Sequence, residues 1–413
     1  MDASPGLCTR CAPRRRARRV LAGAFALAVV LGPRPAGALV INIDAPGLSG
    51  TPALAAFQRA AGAWEALFSD PVQVNIAASL LPLASPAVLG QTSSVILAGS
   101  HDLIRNAMVA DGLAESDDAI LAYLPTAGEF SATVFGFTPD IFFGLSGNLS
   151  ATKANLKALG FSAAGLDSAF GPTDATMEFN SDFVFDFDRS DGVAPGTTDF
   201  ETVAAHEIGH VLGFDSVVDT VDALIAFGAV ADLSPRTLDL FRFAAGAEPA
   251  TPAEFTAAPR LLVPGFPDFS TFEDQFPAVF SDLDALYPLS TGAFFGDGFQ
   301  ASHWKDNDLG GRLVGIMDPS LAPGQIFNIS AADIRALDLI GWDYDPAVGE
   351  PPSALLLALG LIFPWLLSVF CRGGPAREKP IERGEHPVRE QGRAYRGHDS
   401  TSCRHASVFE AIS

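Results

Sequence analysis

Apolar residues recur at helical spacing through TPALAAFQRAAGAWEALFSD, residues 51–70, and alternate with polar ones in LVINID (39–44) and VQVNIAASL (72–80). A strand, a helix opened by Thr-Pro and a second strand are therefore expected at the start of the folded body. Residues 92–125 read mostly as helix around HDLIRNAM. ATVFGF and DIFFGL read as strands, ATKANLKAL as a short helix, and DATMEFNSDFVFDFD (174–188) as one or two strands. Further on, DALIAFGAV looks helical and RTLDLFRF strand-like. SAADIRALDLIGWDYD (330–345) reads as a helix with Ser330 at its N-cap and Asp333 at its third position. No internal repeat interrupts this order. The pattern predicts a mixed α/β (α+β) body with a helix at its centre.

The two ends follow other rules. RRRARR (14–19) precedes the apolar run VLAGAFALAVVLG and the small residues Pro35-Ala36-Gly37-Ala38, the layout of a cleaved signal peptide over residues 1–38. The mature chain is then expected from near Leu39, outside the cytoplasm. Near the other end, Gly349-Glu350-Pro351-Pro352 introduces SALLLALGLIFPWLLSVFC (353–371), an uncharged run long enough to span a bilayer, followed by Arg372. A Pro-containing box, one apolar helix and basic residues together resemble the PEP-CTERM sorting signal of bacterial exported proteins. The resulting expectation is a body over 39–348, a linker and transmembrane or sorting helix over 349–371, and a disordered tail over 372–413, rich in Arg, Glu and Gly.

Charge changes the picture once these ends are set aside. Residues 39–371 carry 11 basic and 41 acidic side chains, a net of −30. That balance argues against nucleic acid and anionic membrane surfaces as partners and suits solubility outside the cell, so membrane contact is expected through residues 353–371 alone. The four cysteines, Cys8, Cys11, Cys371 and Cys403, all lie outside the body. A metal there must be held by histidine and carboxylate.

Candidate chemistry sits in the central helix, AAHEIGHVLGFDS (204–216). Thr198 and Glu201 fit a capping box ahead of it. His206 and His210, four residues apart, share one helical face and suit Zn²⁺. Glu207 stands where a general base would take a proton from water. Gly213 is placed to end the helix. A third ligand is missing from the helix, since Ser216 follows Gly213 by three residues. The body holds only two other histidines, His101 and His303. His101 falls in an expected helix and reads as a surface or partly buried residue. Asp215 or Ser216 would be local substitutes, whereas Glu248, Glu254 and Glu273 lack the E-x-x-x-D pattern of a downstream helical ligand.

HEIGHVLGF, a long insertion, SHW (302–304) and the methionine turn Gly315-Ile316-Met317-Asp318-Pro319 together resemble the leishmanolysin-type metzincin zinc proteases. The resemblance implies a two-lobed metzincin-like fold and His206, His210 and His303 as zinc ligands. It further implies Glu207 as general base and Met317 as the floor of the site. The activity implied is that of an exported zinc-dependent endopeptidase, with a protein or peptide substrate as its partner. Residues 214–302 between helix and third ligand are too many for a bare loop, so an insertion subdomain is expected. A non-catalytic zinc-containing surface protein and a zinc hydrolase of a non-peptide substrate are the rival readings. Calcium is a further candidate ion at Asp186–Gly192, where a solvated acidic turn is the expected state because the glycine and Thr197 miss their EF-hand positions.

Overall fold

The computed structural model describes residues 38–115, 117–134, 143–266, 273–344 and 407–412. The segment expected to be a signal peptide (but for Ala38), the apolar run 353–371 and much of ATVFGF and DIFFGL lie outside the described residues. Among the described residues, no helix is long and apolar enough to cross a membrane.

One mixed sheet carries the body. Its strands are β1 (Val40–Asp44), β2 (Gln73–Leu81), β3 (Val88–Ser94), β4 (Ala175–Asn180), β5 (Ser320–Leu321) and β6 (Ser407–Ile412), in spatial order β1-β2-β4-β3-β6-β5. β1, β2 and β4 run parallel, and β3 runs antiparallel to β4. The helices that matter for the site are α1 (Pro52–Glu65), α2 (Phe200–Leu212), α3 (Val217–Ala226) and α4 (Ala331–Asp338). The α+β class is as expected.

α1 starts at the Thr-Pro pair, where the Thr51 side chain accepts from Leu54 N. It lays Phe57, Ala60, Ala61 and Trp64 into the core. α2 packs between α1 and β3, and all of its thirteen residues are buried. A helix buried on every side needs partners for its polar groups, and Trp64 Nε1 donates to Ala205 O at 2.9 Å.

Three expectations need correction. First, the helical reading of 92–125 fails at its start: β3 ends at Ser94, a strand covers Ile96–Ser100, and the helix is His101–Asp111. Strand pairing with β4 and with Asn148–Thr152 overrides the local pattern there. Second, the cap of α2 is Asp199 rather than Thr198. Thr198 and Asp199 pair in register with Phe185 and Asp186, which delays the helix by one residue, and the Asp199 carboxylate accepts from Thr202 N at 3.0 Å. Glu201 turns instead to Arg59 and Arg189, at 2.8 and 2.7 Å. Third, six residues of the tail expected to be disordered form β6, parallel to β3 and antiparallel to β5. The open edge of β3 offers backbone donors and acceptors to any extended segment, whatever its side-chain composition.

The described residues of the 214–302 insertion are folded, and their buried apolar side chains divide between the main hydrophobic cluster and a smaller one. Phe241, Phe243, Phe255 and Phe280 join the main cluster, and Arg260–Leu261 pairs with Ala132–Thr133 outside the insertion. A smaller cluster of Val217, Val218, Val221, Ile225, Leu233 and Leu262 lies under α3.

Candidate metal centre

α2 supplies the first half of the site. The i, i+4 spacing places the imidazoles of His206 and His210 together, with their Nε2 atoms 3.2 Å apart. His303 reaches them from irregular chain, its Nε2 3.1 Å from that of His206 and 3.2 Å from that of His210. The three ligands implied by sequence therefore meet.

The opposite ring nitrogens show what this triangle is. His206 Nδ1 faces Ile316 O at 2.8 Å, His210 Nδ1 faces Phe214 O at 2.7 Å, and His303 Nδ1 faces Gln300 O at 3.1 Å. A carbonyl only accepts, so each Nδ1 carries the proton and each Nε2 presents a lone pair. Three lone pairs cannot hydrogen-bond one another. They can share a Lewis acid, and their spacing matches the edge of about 3.3 Å that a tetrahedral ion with 2.0–2.1 Å metal–nitrogen bonds sets. Burial holds all three imidazoles below their ordinary pKa: His206 and His303 fall well below, with mutual repulsion adding to desolvation, and His210 falls to about 4. Neutral imidazole is the ligand form. The residues fit zinc.

Glu207 lies against β3. Its Oε2 accepts from the Thr92 hydroxyl at 2.6 Å, and a Cβ added at Gly90 would come within 3.0 Å of its Oε1. Neither Gly90 nor Thr92 was legible as a site residue, because strand β3 itself was not expected.

Met317 is fully buried beneath α2. A Cβ at Gly209 would stand 2.3 Å from its Sδ, which explains the glycine between Ile208 and His210. The methionine turn is gripped from α4. Asp333 accepts from Ile316 N at 2.8 Å, Met317 N at 3.3 Å and Trp304 Nε1 at 2.8 Å, while completing the expected capping box with Ser330. A residue legible only as a cap is thus also the clamp on the metal-site floor. Asp219 of α3 does the same for the third histidine, accepting from Ala301 N and from Ser302 N at 3.1 Å and from the Ser302 hydroxyl.

The local rivals for third ligand are committed elsewhere. Asp215 pairs with Arg236 at 2.6 Å and accepts from Ser216 N and the Ser302 hydroxyl. Ser216 caps α3 and donates to Asp239 at 2.6 Å. His101 is buried rather than superficial, with Nε2 3.0 Å from Pro125 O. In the Asp186–Gly192 turn, Asp186 accepts from Asp188 N and Ala194 N, and Asp188 from Ser190 N, so backbone amides satisfy the carboxylates. Glu115, Asp118 and Asp338 form another acidic group, and Arg335 pairs with the last two of these.

Comparison with family profiles, with curated proteins and with solved structures found no match to this chain. The histidine triangle and its surroundings therefore carry the functional reading.

Proposed function

We propose that the chain is an exported zinc-dependent endopeptidase of metzincin type, similar to the leishmanolysin-like proteases. The observation that carries the reading is the convergence of three Nε2 lone pairs, each enforced by a backbone carbonyl on the opposite nitrogen, next to a carboxylate on the same helix. Zinc held by His206, His210 and His303 supplies Lewis-acid polarisation of a scissile carbonyl and lowers the pKa of water. Glu207 takes the proton of the attacking water and returns it to the leaving amine. Thr92 holds the Oε2 of that carboxylate and orients it, and Met317 with Gly209 sets the depth of the helix over the methionine turn.

One observation favours the rival reading of a non-catalytic zinc protein. His206, Glu207 and His303 are fully buried, while a peptide must reach a working site. β6 pairs with β3 on one side and β5 on the other and runs beside α2, so a peptide using the β3 edge would displace it. The test is zinc analysis and a casein-type assay, with and without chelator, on the full chain and on a chain ended before Ser407. Chelator-sensitive hydrolysis by either form supports the enzyme. Stoichiometric zinc with no hydrolysis by both assigns the zinc to structure.

A further inference from the structure

Strand β3 has β4 on one side and β6 on the other, so without β6 its second edge would be open. The same strand is a wall of the histidine site. Thr92 donates to Glu207 Oε2 at 2.6 Å, and Gly90 lies close against that carboxylate. Ala411 of β6 stands in register with Thr92. Ser407 and Val408 pair with Leu321 and Ser320, which follow Met317 by four and three residues. β6 therefore bridges the strand that orients Glu207 and the strand that follows the methionine turn, and it runs beside α2. In this arrangement His206, Glu207 and His303 are fully buried.

The attachment of β6 is slight. β2 and β4 pair six residues in unbroken register. β6 pairs four with β3, across a shift between Val408 and Glu410, and two with β5. Pairing at a sheet edge is made by backbone groups, so one extended segment can replace another there. We infer that residues 407–412 are an internal blocking strand, which closes the site and must leave β3 before a polypeptide can reach the histidines. What replaces it is an extended peptide, paired through its backbone to the edge beside Thr92. The inhibitory consequence rests on the peptidase reading. The shielding of the metal by β6 does not.

The experiment compares three zinc-loaded chains: the full chain, a chain ended before Ser407, and the full chain carrying Glu410→Pro and Ala411→Pro together. Successive amides of a strand point to opposite sides, so the double proline removes one that faces β3 while keeping the chain at full length. Both altered chains should surrender zinc to excess chelator, and cleave casein, about 10–100-fold faster than the unaltered one. That ratio corresponds to an open form populated at about 1–10% in the unaltered chain. Amide exchange should quicken across Val88–Ser94 and stay slow in β1 and β2, which separates a displaced strand from an unfolded body. Equal zinc release from all three chains, equal hydrolysis by all three, or exchange that quickens in β1 and β2 as well overturns the inference. Faster zinc release with exchange confined to β3, and no hydrolysis by any form, leaves the blocking strand standing and sinks the peptidase reading.

Discussion

The two helical histidines and the histidine that joins them are held in opposite ways. His206 and His210 owe their relation to α2 alone, because residues four apart on a helix face one way. His303 has no helix or strand to place it. Asp219, 82 residues away from Ala301 along the chain, grips the backbone just before it, and Asp333, 29 residues beyond Trp304, grips the indole just after it and the methionine turn below. One half of the site is a local property and the other a tertiary one. The lesson is that perturbing the body should dismantle the site from the loop side first.

His303→Ala tests the division with the largest effect. Zinc content is expected to fall from one per chain to near none and activity with it, while far-ultraviolet dichroism keeps α2. Stoichiometric zinc in this variant would mean that the helical pair suffices, and the comparison would collapse. Glu207→Gln separates chemistry from assembly on the helical half. Zinc should remain and hydrolysis should drop by about 10²–10⁴-fold, the usual worth of a general base, as read in a single-turnover peptide assay.

Asp333→Ala attacks the loop half without touching a ligand. It removes the acceptor for Ile316 N, Met317 N and Trp304 Nε1, and a buried donor left unsatisfied costs about 1–3 kcal/mol. A lower denaturation midpoint together with weakened zinc affinity is expected. An unchanged affinity at lowered stability would show that the turn does not transmit to His303.

Acid should act on both halves at once. The folded pKa of His210 is about 4 against 6.5 for the free side chain, and His206 and His303 are depressed too. The unfolded chain therefore takes up protons first. The contribution of these three histidines to the stability of the zinc-free protein should be full above about pH 6.5 and fall progressively toward pH 4, and the difference in denaturant midpoint between the unaltered chain and His210→Ala across that range checks the sign. The smallest effect belongs to Ser216→Ala. Zinc and activity should be retained, with only about 1 kcal/mol of stability lost with the α3 cap. Loss of zinc there would reinstate the local ligand.

How much was legible divides along the same line. α1, the capping box at Ser330 and Asp333, the stop at Gly213 and the helical histidine pair all rest on interactions within four residues, and all appear as expected. β3 with Thr92 and Gly90 escaped, because VLGQTSS acquires its strand character from pairing with β4 rather than from its own pattern. The Thr198 cap failed for the same reason, a register with Phe185 and Asp186 that no local signal announces.

By itself, then, the sequence determined the chemistry available: two imidazoles and a carboxylate on one helix, no cysteine in the body, and two other histidines from which a partner could come. Only the tertiary structure decided the rest. It brought His303 across 93 residues to His210, turned Asp215 to Arg236 and Ser216 to a helix cap, and pointed three carbonyls at three Nδ1 atoms. The physical reason is range. Helix periodicity and capping are settled by near neighbours, whereas a ring nitrogen keeps its lone pair for a metal only if a distant backbone oxygen claims the other side of the ring.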